Sequence, residues 1–352
     1  MDVKQHHTIE GILMMRIVVD AMGSDNRPQP DVKGAIDAAK QFKDDEIILV
    51  GPQDVVAATI AKHGAQPDNL RVVHAGEIIQ MSDKPSTVGK DKPESSMHVG
   101  LGLVKSGDAD AFVTAGNTGA AHAIAMLFSL RRIPNVKRPA LALIFPIHEK
   151  PVIFLDVGAN AEARADWLAQ YAIMGSVYAS NALGLRSPKV GLVSNGEEEG
   201  KGTAVIQEAG RLIKQLPLDF VGNIEPADIH GGLVDVVVAD GFTGNILIKT
   251  FESATRYLGE VIRKEIKASF ISSIGGLLAR GAFQRVRQKV NADEIGGAPL
   301  LGVNGVVIIA HGSSDAKSIK NAIGQARIAV QGQVVQSITD KMQAFNRIQQ
   351  EN

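Results

Sequence analysis

Short apolar runs alternate with amphipathic stretches along most of the chain. Arg16–Asp20 (R-I-V-V-D), Glu46–Gly51 and Leu70–His74 read as buried strands. Between the first two, Val32, Ala35, Ile36, Ala39 and Phe42 recur at helical spacing, which predicts a helix over Asp31–Phe42. Val55–His63 reads as a second helix, closed by Gly64. Further on, Ser95–Ser106 is a helix ended by Gly107. Ala140–Phe145 and Pro151–Asp156 form a hairpin through His148–Lys150. Val190–Ser194, Phe220–Val221, Val234–Ala239 and Val306–Ala310 are further strands, and a last helix runs from about Ser314. Strands alternating with helices predict an α/β chain with a mostly parallel sheet covered on both faces. Met81–Glu94, rich in Lys and Pro, breaks the pattern and reads as a mobile loop.

Two segments share one grammar. In Val234–Asn245 (V-D-V-V-V-A-D-G-F-T-G-N) an apolar run stops at Asp240. A loop of Asp, Gly, Phe, Thr, Gly and Asn follows, and a helical pattern starts at Ile246. Ala111–Ala120 (A-F-V-T-A-G-N-T-G-A) repeats the arrangement. Glycines let such corners wrap tightly, and unpaired N–H groups at a helix start attract anions. Paired corners of this kind suit phosphate or another small anion.

Composition narrows the choice. The chain has 352 residues, 45% apolar, with a formal net charge of −1. That charge gives no global attraction to nucleic acid, and 4% aromatics are few for base-stacking platforms. Cysteine is absent, which removes disulfides, thiolate metal sites and a cysteine nucleophile. The start lacks the basic-then-apolar order of a signal peptide, and no run reaches transmembrane length.

Other motifs are ambiguous or fail. Asn195–Thr203 (N-G-E-E-E-G-K-G-T) resembles a P-loop, but the glycine spacing is one residue short and Gly202 separates Lys201 from Thr203. Lys201 can still bind phosphate as a point charge, or simply balance Glu197–Glu199. Leu155–Asn160 (L-D-V-G-A-N) offers Asp156 as a holder of backbone or a cation, with turn chemistry the plainer reading. His311 is a proton donor or a satisfied core histidine. Asp20 and Asp25 lack companions at metal-ligand spacing, so no metal site is expected. Serine-hydrolase, dinucleotide and zinc-protease signatures are missing.

Arg256–Lys289 differs from the rest, with eight Lys or Arg against Glu260 and Glu265 around an apolar, glycine-containing middle. A helical hairpin over about 257–290 fits. It suits an anionic membrane surface or an acidic protein, or else a dimer contact or a solvated arm with a buried tip.

Seven segments then fall into one order: V-V-D-A-M-G-S-D (18–25), T-A-G-N-T-G-A (114–120), L-D-V-G-A-N (155–160), Q-Y-A-I-M-G-S-V-Y (170–178), G-E-E-E-G-K-G (196–202), D-G-F-T-G-N (240–245) and A-H-G-S-S-D (310–315). Together they resemble the bacterial phosphate acyltransferases of the PlsX family, from about Met15 to the last helix. Two departures are Ser24, where the family usually has a second glycine, and Thr203, where it often has Asn. Residues 1–14 have no counterpart and are taken as a tail, with 15–345 as the phosphate acyltransferase domain.

The resemblance implies a three-layer α/β/α fold similar to isocitrate and isopropylmalate dehydrogenases and phosphotransacetylases, with the helical hairpin protruding. It implies transfer of an acyl group from acyl carrier protein to inorganic phosphate, giving acyl phosphate for phospholipid synthesis, without a cofactor. It further implies a cytoplasmic homodimer peripherally associated with the membrane, with the downstream glycerol-3-phosphate acyltransferase as a further partner and no nucleic acid. Carried over residue by residue, Lys201 and Asn245 are the catalytic pair. Gly116, Asn117, Thr118, Gly119, Asp240, Gly241, Thr243, Gly244 and His311 bind phosphate or substrate, and Asp20 is a weaker candidate. Arg263, Lys264, Lys267, Phe270, Ile271, Leu277, Leu278, Arg280 and Arg285 meet the carrier protein or membrane. Lys84, Lys90 and Lys92 stand at the rim. Competing readings are a phosphotransacetylase-like enzyme using acyl-coenzyme A, an NAD-linked decarboxylating dehydrogenase, and a non-enzymatic membrane scaffold.

Overall fold

A computed structural model describes residues 8–9, 12–148, 150–289 and 296–351. The chain divides into two compact units. One comprises Met1–Pro139, Val177–Arg186 and Ile295–Asn352; the other comprises Ala140–Ser176 and Ser187–Glu294.

In the first unit, β1 (Thr8–Ile9) and β2 (Ile12–Leu13) form a small antiparallel pair. This falls in the stretch read as a tail; most of residues 1–11 lie outside the described residues. The strands β3 (Arg16–Asp20), β4 (Glu46–Gly51), β5 (Leu70–His74) and β6 (Ala111–Thr114) follow. β12 (Ala298–Leu301) and β13 (Val306–Ile309) come from the C-terminal part. β13, β6, β3, β4 and β5 are successive parallel neighbours, and β12 pairs antiparallel with β13.

Apolar residues alternate with helices here because both faces of this sheet are covered. α1 (Gln29–Gln41) buries Val32, Ala35, Ile36 and Ala39, the stripe read from the sequence. It lies against α12 (Ala316–Gln331) so closely that a Cβ on Gly34 would meet the Ile319 side chain at 2.6 Å. α2 (Gln53–Ala61), α3 (Pro85–Asp91), α4 (Ser96–Ser106) and α5 (Thr118–Ala123) complete the earlier part. α4 has the ends its sequence announces: the Ser95 hydroxyl accepts from His98 N, and Gly107 takes a left-handed φ of 77°.

Three expectations change. Residues 81–94 contain α3, and their loop is tied down: Lys92 Nζ donates to Ile78 O at 2.9 Å and pairs with Asp83 at 2.5 Å. The last helix is two, α12 and α13 (Val334–Glu351), split where Gly332 packs on the Asn181 carbonyl and Gln333 takes φ 48°. β12 was not anticipated.

In the second unit, β7 (Ala140–Ile147) and β8 (Lys150–Leu155) form the expected antiparallel hairpin. α6 (Ala165–Asn181) lies in this unit as far as Ser176. β9 (Lys189–Val193), α7 (Ala204–Lys214), β10 (Asp219–Ile224), α8 (Pro226–His230) and β11 (Val236–Val238) follow. β10, β9, β11 and β8 are parallel neighbours in that order. Phe145, Phe154, Ile224, Val237 and Ile248 belong to its buried core. The hairpin arm begins earlier than 257, because α9 spans Gly241–Lys267. α10 (Phe270–Leu278) is its tip and α11 (Arg280–Lys289) returns.

Candidate active site

Strand order places three loops side by side in the second unit. β9, β11 and β8 are adjacent and parallel, so the loops that leave their C-terminal ends emerge from one edge. With strands about 4.8 Å apart, the tips of β9 and β8 are roughly 10 Å from each other. Ligands of open α/β sheets collect outside such carboxyl ends.

The loop after β8 is built round Asp156, which is fully buried. Its Oδ1 accepts from Leu141 N (3.1 Å), Gly158 N (3.1 Å) and Ala159 N (3.0 Å). Its Oδ2 accepts from Asn160 N (2.8 Å) and Asn160 Nδ2 (3.0 Å). Every lone-pair direction of the carboxylate is committed, so Asp156 holds backbone. The turn it shapes then receives the loop after β11, where Gly241 N donates to Asn160 O at 2.8 Å.

The helix at this second loop starts sooner than the pattern suggested. Asp240 is the N-cap of α9: its Oδ1 accepts from Thr243 N at 2.7 Å and its Oδ2 from Thr243 Oγ1 at 2.9 Å. Gly241–Asn245 is therefore the first helical turn, and Asp240 and Thr243 satisfy one another. Gly241 and Gly244 serve close approach. A Cβ on Gly241 would meet Asn160 O at 2.5 Å, and one on Gly244 would overlap the Asp156 carbonyl oxygen. Asn245 is half-buried, and its side chain faces Gly158, where an added Cβ would lie 4.0 Å from its Cγ. Among the described residues its amide has no hydrogen-bond partner.

The third loop, after β9, carries Lys201. Gly202 N donates to Asn195 Oδ1 (2.9 Å), Lys201 N to Glu198 O (2.9 Å) and Asn223 Nδ2 to Glu198 O (3.0 Å). Gln207 Nε2 reaches Gly200 O at 2.8 Å. Thr203 caps α7. Gly202, at φ 87°, has the left-handed backbone this turn needs. The lysine stem passes over Gly196. Glu199 pairs with Lys214 at 2.6 Å, and among the described residues no carboxylate lies within 4.0 Å of the Lys201 ammonium. The alternative in which Lys201 balances its neighbouring glutamates is not what the fold does.

The first unit has a corner of its own. β13, β6 and β3 are adjacent, so the loops carrying His311, Gly116–Gly119 and Met22–Asp25 leave one edge. Asp25 N donates to Gly312 O at 2.8 Å. Asn117 is committed to shape: Oδ1 accepts from Ala120 N (3.0 Å), and Nδ2 donates to the carbonyls of Gln80 (3.3 Å), Met81 (3.1 Å) and Asp83 (3.0 Å). Gly116 N donates to Thr114 Oγ1 at 3.0 Å, and Pro85 covers Gly119. His311 is exposed, with Nδ1 2.7 Å from Ser313 Oγ.

Beneath this corner lie two buried carboxylates that sequence reasoning undervalued. Asp20 Oδ2 accepts from Thr114 Oγ1 at 2.7 Å and Oδ1 from Met22 N at 3.0 Å. Burial raises its carboxyl above the usual range. Asp31, fully buried, accepts from Ser24 Oγ at 2.5 Å. Burial, with the nearby Asp20 adding, pushes it up to about 7 against the opposing pull of the Ser24 hydroxyl. The only signal in the sequence was Ser24 itself, at a usual glycine. Among the described residues no group of three or more His, Asp or Glu could hold a metal ion.

The arm exposes its tip, so the reading of a solvated arm with a buried tip does not hold for this chain. Phe270, Ile271, Leu277 and Leu278 are 70–83% accessible, with Arg263, Lys264, Lys267, Arg280 and Arg285 exposed beside them. α10 is held back onto α9 by Gly276 against Ile266 and by Ser273 Oγ donating to Ile266 O at 3.2 Å. Among the described residues no helix is long and apolar enough to cross a membrane.

The fold is an α/β fold that solved phosphotransacetylases share. A phosphotransacetylase from Streptococcus pyogenes superposes with a TM-score of 0.60 at 20% identity, covering 92% of this chain and 94% of that one. The chain belongs to the family described as fatty acid synthesis protein, matched over residues 15–337, whose curated members are phosphate acyltransferases. The phosphate acyltransferase of Geobacter sulfurreducens is 44% identical over 329 residues, and that of Geotalea uraniireducens 45% over 329, each covering 94% of both chains.

Proposed function

We propose that the chain transfers an acyl group from acyl carrier protein to inorganic phosphate, releasing the carrier thiol and acyl phosphate. The observation that carries this reading is the pair Lys201 and Asn245. They stand on loops from adjacent parallel strands, and neither polar head is engaged with protein among the described residues.

Phosphate near neutral pH is partly dianionic and needs positioning more than deprotonation. One phosphate oxygen attacks the thioester carbonyl, the C–S bond then breaks, and the electron pair leaves on sulfur. Lys201 offsets negative charge on phosphate and on the oxyanion. Asn245 donates from Nδ2 to whichever oxygen is gaining charge. Asp240, Thr243, Gly241 and Gly244 fix the turn that carries it. Within the first unit taken by itself, Thr118 and Gly119 are read as backbone donors and His311 as an exposed ring for an anion, while Gly116, whose N–H is spent on Thr114, and Asn117 maintain the corner.

The arm is read as the surface for acidic carrier protein and anionic membrane, through Arg263, Lys264, Lys267, Arg280, Arg285 and the apolar tip. We place the protein in the cytoplasm as a homodimer on the membrane surface, feeding phospholipid synthesis through a glycerol-3-phosphate acyltransferase. Residues 15–345 form the acyltransferase domain, arm included. Purified protein with acyl carrier protein thioester and phosphate should give acyl phosphate, trapped by hydroxylamine. Absence of that hydroxamate, or equal formation without phosphate, would remove the reading.

A further inference from the structure

The loop that carries Lys201 begins with an Asn–Gly step, Asn195–Gly196, and the chain holds one other, Asn304–Gly305. Such a step can react with itself. The glycine nitrogen attacks the side-chain amide carbon of the asparagine and closes a cyclic imide, and glycine has no Cβ to obstruct the approach. The glycine N–H must be unspent for this to happen. The structure separates the two steps on that point. Gly305 N donates to Val303 O at 2.9 Å, and Asn304 N to Arg131 O at 3.0 Å. The bridge between Arg132 and Val303 on one side and β13 on the other clamp that segment. Leu130 covers Gly305, where an added Cβ would meet its Cδ1 at 2.9 Å. By contrast, Gly196 N has no acceptor among the described residues. Asn195 is exposed, and its Oδ1 accepts from Gly202 N at 2.9 Å, while its Nδ2 has no partner among the described residues. The donated N–H polarises the amide carbonyl and makes its carbon a better electrophile. Glu198 Oε2 lies so near Gly196 that an added Cβ would meet it at 2.9 Å, so a proton acceptor stands beside the attacking residue.

We propose that Asn195 is a site of spontaneous deamidation, and that its modification ages the Lys201 loop. Gly196 N bonds to Asn195 Cγ, the Cγ–Nδ2 bond breaks, and the displaced proton ends on the departing nitrogen, which leaves as ammonia. Water, the only co-reactant, then opens the imide at either carbonyl. The products are aspartate or, with the main chain rerouted through the side chain, isoaspartate. Either one puts a carboxylate where a neutral amide stood, in the loop where the Lys201 stem crosses Gly196. Isoaspartate also lengthens the main chain by one carbon and so pulls against the tie between Asn195 and Gly202. The consequence for activity rests on the acyl-transfer reading above: the new carboxylate competes with phosphate for the Lys201 ammonium.

The test incubates full-length protein in warm, mildly alkaline buffer, folded or unfolded in guanidinium chloride. Peptides are then mapped by mass spectrometry and by labelling with isoaspartyl methyltransferase. Unfolded, both Asn–Gly steps should deamidate alike. Folded, Asn195 should react roughly tenfold faster than Asn304 or more, because Gly305 must first give up its hydrogen bond and the clamp round it. Loss of hydroxamate formation should follow the modification at 195. Asn195→Gln, which cannot close the same ring, should keep whatever turnover it starts with. Folded protein that reacts equally at both steps, or at neither, would overturn the proposal, and so would modification at 195 without loss of turnover. Protein inactive before any incubation would instead strike the acyl-transfer reading, and the peptide map would still decide whether Asn195 is the modified residue.

Discussion

Gly244 packs against the carbonyl oxygen of Asp156 with no room for a side chain. That approach joins the loop after β8 to the first turn of α9 and fixes where Asn245 points. Gly244→Ala should force the two loops apart. The overpacking cost is about 1–3 kcal/mol, read as a lower urea midpoint. Turnover should fall further than stability accounts for, because Asn245 shifts with the turn. Gly259→Ala, on the same helix with nothing near its missing Cβ, should be neutral or slightly stabilising. Equal behaviour of the two variants would show that the close approach has no role.

Lys201 and Asn245 should be separable by kinetics. Lys201→Ala should lower kcat/KM roughly a hundredfold or more, the usual cost of removing one group that stabilises an oxyanion. Its circular dichroism and melting temperature should stay near wild type, since the ammonium has no carboxylate partner among the described residues to lose. If Lys201 mainly holds phosphate, Lys201→Arg should recover part of the KM for phosphate while kcat stays low. Asn245→Asp keeps size but replaces a donor by an acceptor, so it should be worse than Asn245→Ala at neutral pH. Near-normal turnover in Lys201→Ala would remove the assignment.

The strand–helix alternation was legible because both faces of each sheet are covered, which forces continuous apolar strands such as Ile17–Val19 and Ile47–Val50. What escaped depended on contacts distant in sequence. Gly241 and Gly244 look like loop residues, yet they are helical, and only Asn160 and Asp156 explain why they are small. Residues 81–94 look mobile from their lysines and prolines. They are ordered by Asn117, more than thirty residues away, and by Lys92 turning inward. β12 was missed because Ala298–Leu301 is short and contains Pro299, a residue poor at ladder bonding. At the candidate site, residue types were readable but roles were not: Asp240, Asp156 and Asn117 look like ligands and spend their polar atoms on holding the local turns.

Ser24 and Asp31 give the first unit a pH dependence of definite sign. The Asp31 carboxyl is raised by burial from 3.8 to about 7 in the fold. Below the unfolded value both states hold the proton, and the native preference for the neutral form is fully present. Between there and about 7 the unfolded chain releases its proton first, so stability declines with rising pH, by up to about 4 kcal/mol, and levels off above. Asp31→Asn is neutral at every pH and can still meet Ser24, accepting from its N–H and donating to its hydroxyl. The variant should match wild type near pH 4 and exceed it at pH 8 in chemical denaturation. Parallel curves across that range would mean that Asp31 is ionised in the folded protein.

The arm tip offers a test that leaves the chemistry untouched. Phe270 and Leu278 are 81% and 83% accessible, while α10 is held to α9 by Gly276 and Ser273. Phe270→Ser with Leu278→Ser should therefore preserve the arm. Burying such side chains in lipid is worth about 2 kcal/mol each, so losing both should weaken partition into vesicles roughly a hundredfold or more. Charge reversal at Arg263 and Lys267 should act differently. It should reduce binding to anionic vesicles at low salt, have little effect on neutral ones, and lose its influence as salt rises. Turnover with soluble acyl-carrier substrate should survive the tip substitutions. Unchanged vesicle binding combined with a raised KM for the acyl carrier would assign the apolar tip to the carrier protein, and the membrane role of the arm would fall.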